Sequence, residues 1–190
     1  MASESVGFEI EAPPKLADAR LQSLYDYWHA LGVQAGGLPS LQSFDPLRLP
    51  KLLANIWALE VAPDTHRFRM RLAGENINAI YGRNIAGQFF SDIFEAHDLP
   101  TIVERYSRAL HEPAIFCATG RVYAAAARYW VGERLGLPML GRSGQADTLL
   151  GATVYGGRTD PNMAVLITGD VPRFHPIKVA NHRPVEIAGG

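Results

Sequence analysis

The longest amphipathic pattern near the start of the chain predicts a helix from Lys15 to Gly32. Its apolar residues recur three and four positions apart, which places them on one broad helix face, and Gly32 is a suitable end. That face consists of Leu21, Leu24, Tyr25, Trp28 and Leu31. The apolar stripe requires cover, which either its own domain or the same helix of a second chain could supply.

A change to a period of two predicts a β-hairpin further along the chain. Residues 55–61, NIWALEV, form an apolar run typical of a strand buried on both faces. After a turn at residues 63–66, Phe68, Met70 and Leu72 alternate with three arginines. This alternation predicts one strand face packed on a core and one face of solvated charges. We expect the two strands to pair in antiparallel fashion.

Short helical segments are predicted on both sides of this hairpin. Before it, Asp45 is a suitable N-cap and Pro46 fits the first helical position, where its missing N–H is harmless. After it, a helix containing Ile77 and Tyr81 ends at Gly82, since glycine readily adopts positive φ.

A longer helix and three strand-like segments complete an α+β order of elements. The helix begins at Asp98 and ends before Pro113. Its buried face is predicted to be Ile102, Val103, Tyr106, Ala109 and Leu110. The strands span residues 114–123, 129–140 and 148–155. Because short links join these strands, an antiparallel meander is the simplest topology.

The chain is expected to contain one domain with extensions, since 190 residues are few for two domains of ordinary size. Residues 1–14 are predicted to be a flexible leader, followed by N-terminal helices at 15–54 and a core at 55–157. Residues 158–190 are predicted to be an extension outside the core, because several prolines interrupt them. Within that extension, Met163–Thr168 is a candidate for one more strand.

Composition narrows the classes of function. The chain has 18 basic and 19 acidic residues, so it lacks the overall positive field expected of a nucleic-acid-binding protein. A single cysteine, Cys117, excludes an internal disulfide and any multi-cysteine metal or iron-sulfur site. Neither a secretory leader nor an apolar run of membrane-spanning length is present. We therefore expect a cytoplasmic protein that does not enter a membrane.

The order of two strands, a helical insert and three antiparallel strands resembles that of the PAS domain. More closely, the chain resembles the bacterial PAS_5 group, over residues from about 15 to about 157. The residues that carry the likeness are FDPLRLPKLLANIWALEV at 44–61, FRMRLAG at 68–74, Tyr81-Gly82-Arg83 with Gly87, and Glu133-Arg134-Leu135 before Leu137-Pro138. Together these motifs are more specific than any one of them.

The resemblance implies a five-stranded antiparallel sheet with a helical insert on one face, preceded by the N-terminal amphipathic helix. Between the sheet and the insert lies a pocket, which in some PAS domains holds flavin, haem or a metabolite and in others only side chains. PAS domains often dimerise through an N-terminal helix, which makes the apolar stripe at residues 21–31 a candidate interface. The expected function is a sensory or protein-interaction module that binds a small ligand or an unidentified signalling partner and acts in trans as a homodimer.

Individual residues bear on which cofactor such a pocket could hold. PAS light sensors carry a reactive cysteine after a Gly-Arg-Asn turn, but in this chain Ile85 follows Gly82-Arg83-Asn84, which disfavours a covalent flavin adduct. Haem would require an axial histidine, and His97 and His111 are better explained as a loop residue and a helix C-terminal residue. No histidine pair has the spacing of metal ligands, so no metal site is predicted and the cofactor is left open.

A set of aromatic and polar residues is predicted to line the pocket. These candidates for ligand contact are Asn78, Tyr81, Phe94, Tyr106, Phe116, Tyr123 and Glu133. The aromatic members could equally fill the core of a protein without a ligand. Strict alternation along the strand turns Glu133 toward the core, where a carboxylate requires a partner such as Arg121 or Arg83. Glu133 could therefore form either an ion pair or a contact with a ligand.

No residue is assigned a catalytic role. The acidic residues Asp92, Glu95 and Asp98 flank a helix start, where negative charge is favourable. One alternative function is a small-molecule enzyme on a cone-like α+β sheet, with Asp92 or Glu133 as a base. A second alternative is a dimerising scaffold whose core is filled by side chains.

Overall fold

An antiparallel sheet with helices on both faces forms the centre of the structure, a computed structural model that describes residues 7–125, 128–156, 171–180 and 182–188. The helices are α1 (Ala19–Ala35), α2 (Glu75–Tyr81), α3 (Phe90–Ile93) and α4 (Leu99–His111). The described strands are β1 (Glu9–Ile10), β2 (Ile56–Val61), β3 (Phe68–Ala73), β4 (Ala114–Ala125), β5 (Arg128–Met139), β6 (Thr148–Tyr155) and β7 (Val171–Lys178). They are arranged in the order β1-β7-β4-β5-β6-β2-β3.

The five strands predicted from the sequence form the larger part of this sheet. Strands β2 and β3 pair as a hairpin, and β4, β5 and β6 form a meander, as predicted. Pairing of β2 with β6 joins the two parts into one sheet. The α+β class and the order of elements are therefore confirmed.

The helices also agree with the predictions in most details. Asp45 caps a 3₁₀ helix, Pro46–Arg48, by accepting a hydrogen bond from the N–H of Leu47 at 3.0 Å. Helix α2 ends at Gly82, whose φ is 65°. Helix α4 buries the predicted face except Ile102, which is half-buried. No helix in the described ranges is long and apolar enough to cross a membrane.

The predicted face of β3 is wrong at one residue. Phe68 and Met70 are buried, but Leu72 is 44% exposed. The register of the β2–β3 ladder shifts between Ala58 and Leu59, so β3 contains an extra residue at this point. Such a bulge turns the following side chain to the other face of the strand. Alternation read from the sequence cannot locate the bulge.

Both chain ends contribute strands, which corrects the expected flexible leader and the extension outside the core. Strand β7 pairs with β4, and β1 pairs with β7. The backbone N–H of Ile177 points toward β4 and donates to the carbonyl of Pro113. Because the direction of backbone N–H groups alternates along a strand, the nitrogens of Pro172 and Pro176 face away from β4, where a missing N–H costs no hydrogen bond to β4. The candidate strand Met163–Thr168 lies outside the described residues.

The sheet separates two apolar cores. Ile56 and Ala58 of β2 lie on the side covered by α1, here called the α1 face. Trp57 and Leu59 lie on the opposite side, covered by α2, α3 and α4 and here called the insert face. This period of two continues through β4, β5 and β6. The helical insert therefore lies on one face, as predicted, and α1 covers the other.

The apolar stripe of α1 is buried within its own chain, which corrects its assignment to a dimer interface. Leu21, Leu24 and Trp28 have no exposed area, Tyr25 is buried, and Leu31 is half-buried. The indole Nε1–H of Trp28 donates to the carbonyl of Pro138 at 3.1 Å. These side chains pack on β5 because the sheet offers an apolar face of its own.

The end of α1 lies beyond the predicted position. The helix continues through Gly32 and ends at Gly36, which has a φ of 65°. Gly32 is instead required by packing, since a Cβ atom there would lie 2.5 Å from the ring of Phe8. Phe8, within the predicted leader, thus packs on the helix that follows it.

Candidate functional site

Five buried aromatic side chains converge on the insert face, where the resemblance placed a pocket. Tyr106 of α4 is at the centre, with its ring centroid 5.9 Å from Trp57, 5.9 Å from Phe90 and 5.5 Å from Phe116. Phe68 stacks on Phe90 at 5.2 Å. The T-shaped contacts of Tyr106 are favourable arrangements for aromatic quadrupoles. Together these rings pack between the sheet and the helical insert.

Two glycines in the sheet make room for the largest of these rings. A Cβ atom on Gly151 of β6 would lie 2.3 Å from the Trp57 ring, and one on Gly136 of β5 would lie 3.2 Å from it. The indole therefore lies directly on the backbone of two adjacent strands. Glycine inside a strand commonly marks such a close approach.

Polar groups border this aromatic cluster. The indole Nε1–H of Trp57 donates to the hydroxyl of Thr153 at 3.0 Å. Arg134 donates from Nε to the same hydroxyl at 3.2 Å and from Nη1 to the hydroxyl of Tyr106 at 3.3 Å. The half-buried guanidinium thus connects the sheet to α4. An arginine in this position can also form paired hydrogen bonds with a carboxylate or phosphate.

The structure brings together most of the predicted aromatic residues. Tyr106 and Phe116 belong to the central cluster, and Phe94 contacts Phe90 at 5.1 Å. Tyr81 is half-buried beside Phe94 at the rim. The side chain of Tyr123 lies outside the described part of the structure.

Asn78 has a local structural role in the turn after α2. Its side-chain N–H₂ donates to the carbonyl of Ala73 at 3.1 Å, and its side-chain oxygen accepts from the N–H of Ile85 at 3.1 Å. Ile85 itself is completely buried. Asn78 therefore fixes the loop that surrounds the aromatic cluster rather than pointing into it.

Glu133 lies on the α1 face, away from the other predicted pocket residues. Its carboxylate accepts hydrogen bonds from the backbone N–H groups of Ala17 and Asp18, at 3.0 Å each for Oε2. Arg83, a proposed partner, instead bonds to Gln88 and to the carbonyl of Asp92. The side chain of Arg121 is outside the described part. The pairing of Glu133 with Arg83 and its placement in the pocket are thus wrong.

The other titratable candidates also have local partners. Asp92 accepts a hydrogen bond from the N–H of Phe89 at the start of α3. The ring of His111 donates to the carbonyl of Val185 at 2.8 Å, and His97 lies exposed beside Asp98. The described residues contain no cluster of three potential metal ligands.

The single cysteine lies on the α1 face. Burial raises the pKa of the Cys117 thiol to about 12, a shift that the nearby guanidinium of Arg173 opposes and the carboxylate of Glu133 reinforces. The thiol is therefore protonated at neutral pH.

Sequence reasoning missed the central role of Trp57 and its polar border. The sequence pattern predicts Trp57 only as part of an apolar strand and indicates no role in the site for Thr153 or Arg134. The available signal was the pair of glycines inside strand-like segments, Gly136 and Gly151. Which side chain lies on them depends on pairing between β2, β6 and β5, which the sequence does not show.

Comparison with protein families gives one match. A family model described as PAS_5, PAS domain, matches residues 17–154. Comparisons with curated proteins and with solved structures give no match. The matched range begins just before α1 and ends in β6, so it includes most of both apolar cores.

Proposed function

Because this chain belongs to the PAS_5 family of PAS domains, we propose that it is a protein-interaction module that passes a signal to another protein. The observation that carries this proposal is the packing of the Trp57 ring directly on Gly136 and Gly151. The indole and the surrounding rings fill the space between the sheet and the helical insert, where the family resemblance implies a pocket. Signal transfer then depends on surfaces of the domain.

Packing energetics supports a structural role for this cluster. Each large aromatic side chain that becomes fully buried contributes roughly 1.5–3 kcal/mol. A ligand in the same place would have to displace Trp57 or Tyr106 and break the hydrogen bond from Trp57 to Thr153. A rigid, filled core is suited to holding an interaction surface in one shape.

A second candidate function is the binding of a small anion at the edge of the cluster. Arg134 lies beside the hydroxyl groups of Tyr106 and Thr153, at the polar border of the aromatic cluster. A ligand carboxylate could bond to the guanidinium and to one of these hydroxyls. Under this alternative the domain senses a metabolite and relays its presence to a partner.

Native mass spectrometry of the full chain separates the two functions. Protein purified from several growth conditions is expected to show no mass beyond that of its polypeptide chains and no visible absorbance. A small molecule retained at one equivalent would overturn the interaction-module proposal. If Arg134→Gln then abolished its retention while Arg142→Gln, at an exposed position in the β5–β6 loop, did not, the anion site would be favoured.

Homodimerisation in the cytoplasm is part of the same proposal. Since the α1 stripe is buried, a second chain would have to cover other apolar surface, and Leu47 and Val33 expose 74% and 59% of their area. Light scattering at micromolar concentration is expected to give twice the chain mass of 20.8 kDa. A mass of one chain throughout the accessible concentration range would remove the dimer from the proposal.

A further inference from the structure

The C-terminal segment 182–188, here called the strap, lies in an extended form across the insert face. It contains no helix or strand and connects the end of α4 with the β2–β3 turn. Val185 and Ile187 pack against the apolar core of the insert face, while Pro184 and Glu186 are exposed. Alternate side chains therefore point inward and outward, as in a bound extended peptide.

The main chain of the strap is held by hydrogen bonds at both ends. The ring of His111 donates to the carbonyl of Val185 at 2.8 Å, and Nδ1 of His66 bonds to the carbonyl of Glu186 at 3.2 Å. The N–H of Ala188 donates to the carbonyl of His66 at 2.7 Å. Main-chain hydrogen bonds combined with apolar sites for alternate side chains are a common mode of peptide recognition.

The groove continues past the strap. A cleft of about 140 Å³ adjoins Ala188 and is formed mainly by Phe68, Phe89, Phe90, Leu99 and Val103. Arg67 lines the same cleft, with its guanidinium 4.3 Å from the centre of the Phe89 ring. The surface thus offers an apolar floor and a positive charge to the residues of a longer peptide.

Unfavourable local features occur within the strap and in the turn that it contacts. Among the described residues, two buried side-chain polar atoms have no hydrogen-bond partner, namely Oγ1 of Thr65 and Nδ1 of His182. Within the described ranges, His66 is the one residue other than glycine that has a positive φ, which is 55°. Unpaired buried groups and unusual backbone angles are each unfavourable and occur often at binding sites. Release of the strap would expose Nδ1 of His182 to water.

We propose that the strap occupies a peptide-binding groove and that an extended segment of a partner protein displaces it. The partner segment would carry aliphatic side chains at alternate positions, as Val185 and Ile187 do, with an acidic residue near Arg67. The strap then acts as an internal competitor that lowers the apparent affinity for the partner. This inference rests on the proposed interaction function and assigns that function a surface.

The test uses the full chain and a fluorescein-labelled peptide with the strap sequence HRPVEIA. In the double variant Val185→Asp with Ile187→Asp, the strap can no longer pack in the groove. Fluorescence anisotropy is expected to show peptide binding to this variant at least about tenfold tighter than to the wild type. Arg183→Asp with Glu186→Asp, at exposed strap positions, is the matched control and is expected to bind like the wild type.

Absence of peptide binding to the double variant, with a native circular dichroism spectrum, would overturn the proposal. If that variant does not fold, hydrogen exchange of the wild type tests whether the peptide displaces the strap. A large excess of unlabelled peptide is expected to speed exchange of the Ala188 amide, and unchanged exchange would also overturn the inference. Either negative result leaves the interaction function itself intact, because only a retained small molecule contradicts that.

Discussion

Glu133 and Ala17 are joined by two hydrogen bonds, in which the backbone N–H of Ala17 lies 3.2 Å from Oε1 and 3.0 Å from Oε2 of the carboxylate. The same carboxylate accepts from Asp18 just before α1, so β5 fixes the start of this helix. Replacement of Glu133 by Ala leaves these donors without their partner, and the free energy of unfolding is expected to fall by about 1–3 kcal/mol.

Urea denaturation followed by circular dichroism measures this change. Glu104→Ala removes an exposed carboxylate on α4 and is the matched control, with an expected change within about 0.5 kcal/mol. Equal stability of Glu133→Ala and the control would show that the carboxylate does not hold the start of α1.

The packing of Trp57 on two glycines predicts that two similar glycine substitutions reduce stability by different amounts. In Gly151→Ala the new methyl group would overlap both the Trp57 ring and the carbonyl of Leu135, at 2.3 and 2.4 Å. In Gly136→Ala the nearest atoms are side-chain atoms at 3.2 and 3.3 Å. Denaturant unfolding is expected to show a loss of about 1–3 kcal/mol for Gly151→Ala and less for Gly136→Ala. The reverse order would be inconsistent with the indole lying on β6.

Burial of the α1 stripe predicts loss of folding rather than loss of a dimer when charge is introduced. Leu24→Asp with Trp28→Asp places two carboxylates where the side chains have no exposed area, at a cost above about 4 kcal/mol. Circular dichroism is expected to show loss of the native spectrum. Ser23→Asp, at an exposed position of the same helix, is expected to remain folded. A folded double variant with half the native mass would restore the stripe as a dimer interface.

Glu60 predicts a pH-dependent contribution to stability. Burial opposes ionisation, but hydrogen bonds from Arg69 and Arg71 outweigh it and hold the pKa of Glu60 below its ordinary value. Since the folded-state pKa is the lower one, the contribution is complete above the ordinary pKa and is lost as the pH falls through the folded pKa.

This contribution is expected to reach at most about 1 kcal/mol, since the arginines are partly exposed. Urea unfolding at pH 7 and pH 3 is expected to show a larger acid-induced loss in the wild type than in Glu60→Gln. The exposed Glu95→Gln serves as control and is expected to follow the wild type. Identical pH dependence of wild type and Glu60→Gln would contradict the prediction.

The raised pKa of Cys117 predicts slow thiol chemistry in the folded protein. Only the thiolate reacts with a disulfide reagent, and at neutral pH burial keeps this thiol protonated and inaccessible. Reaction with an aromatic disulfide reagent, followed by absorbance, is expected to be at least about a hundredfold slower in the native protein than in urea. Comparable rates in both states would show that the cysteine is accessible.

The sequence by itself determined the elements whose signals are local. The spacing of apolar residues in α1 and α4, the positive φ of Gly82, the cap at Asp45 and the order of the central strands all depend on neighbours a few residues apart. Local period and backbone preference are sufficient for such features. The same patterns carried the family resemblance, and with it Tyr106 and Phe116 of the aromatic cluster.

Tertiary structure alone decided which layer each side chain joined. The alternation that turned Glu133 inward was correct, but only the sheet's position between two helical layers placed it beside Ala17 instead of Tyr106. Strand β7, the bulge before Leu72 and the seat of Trp57 likewise depend on pairing between segments far apart in the chain. Such pairings depend on burial and hydrogen bonding summed over the whole fold, so a local sequence pattern cannot predict them.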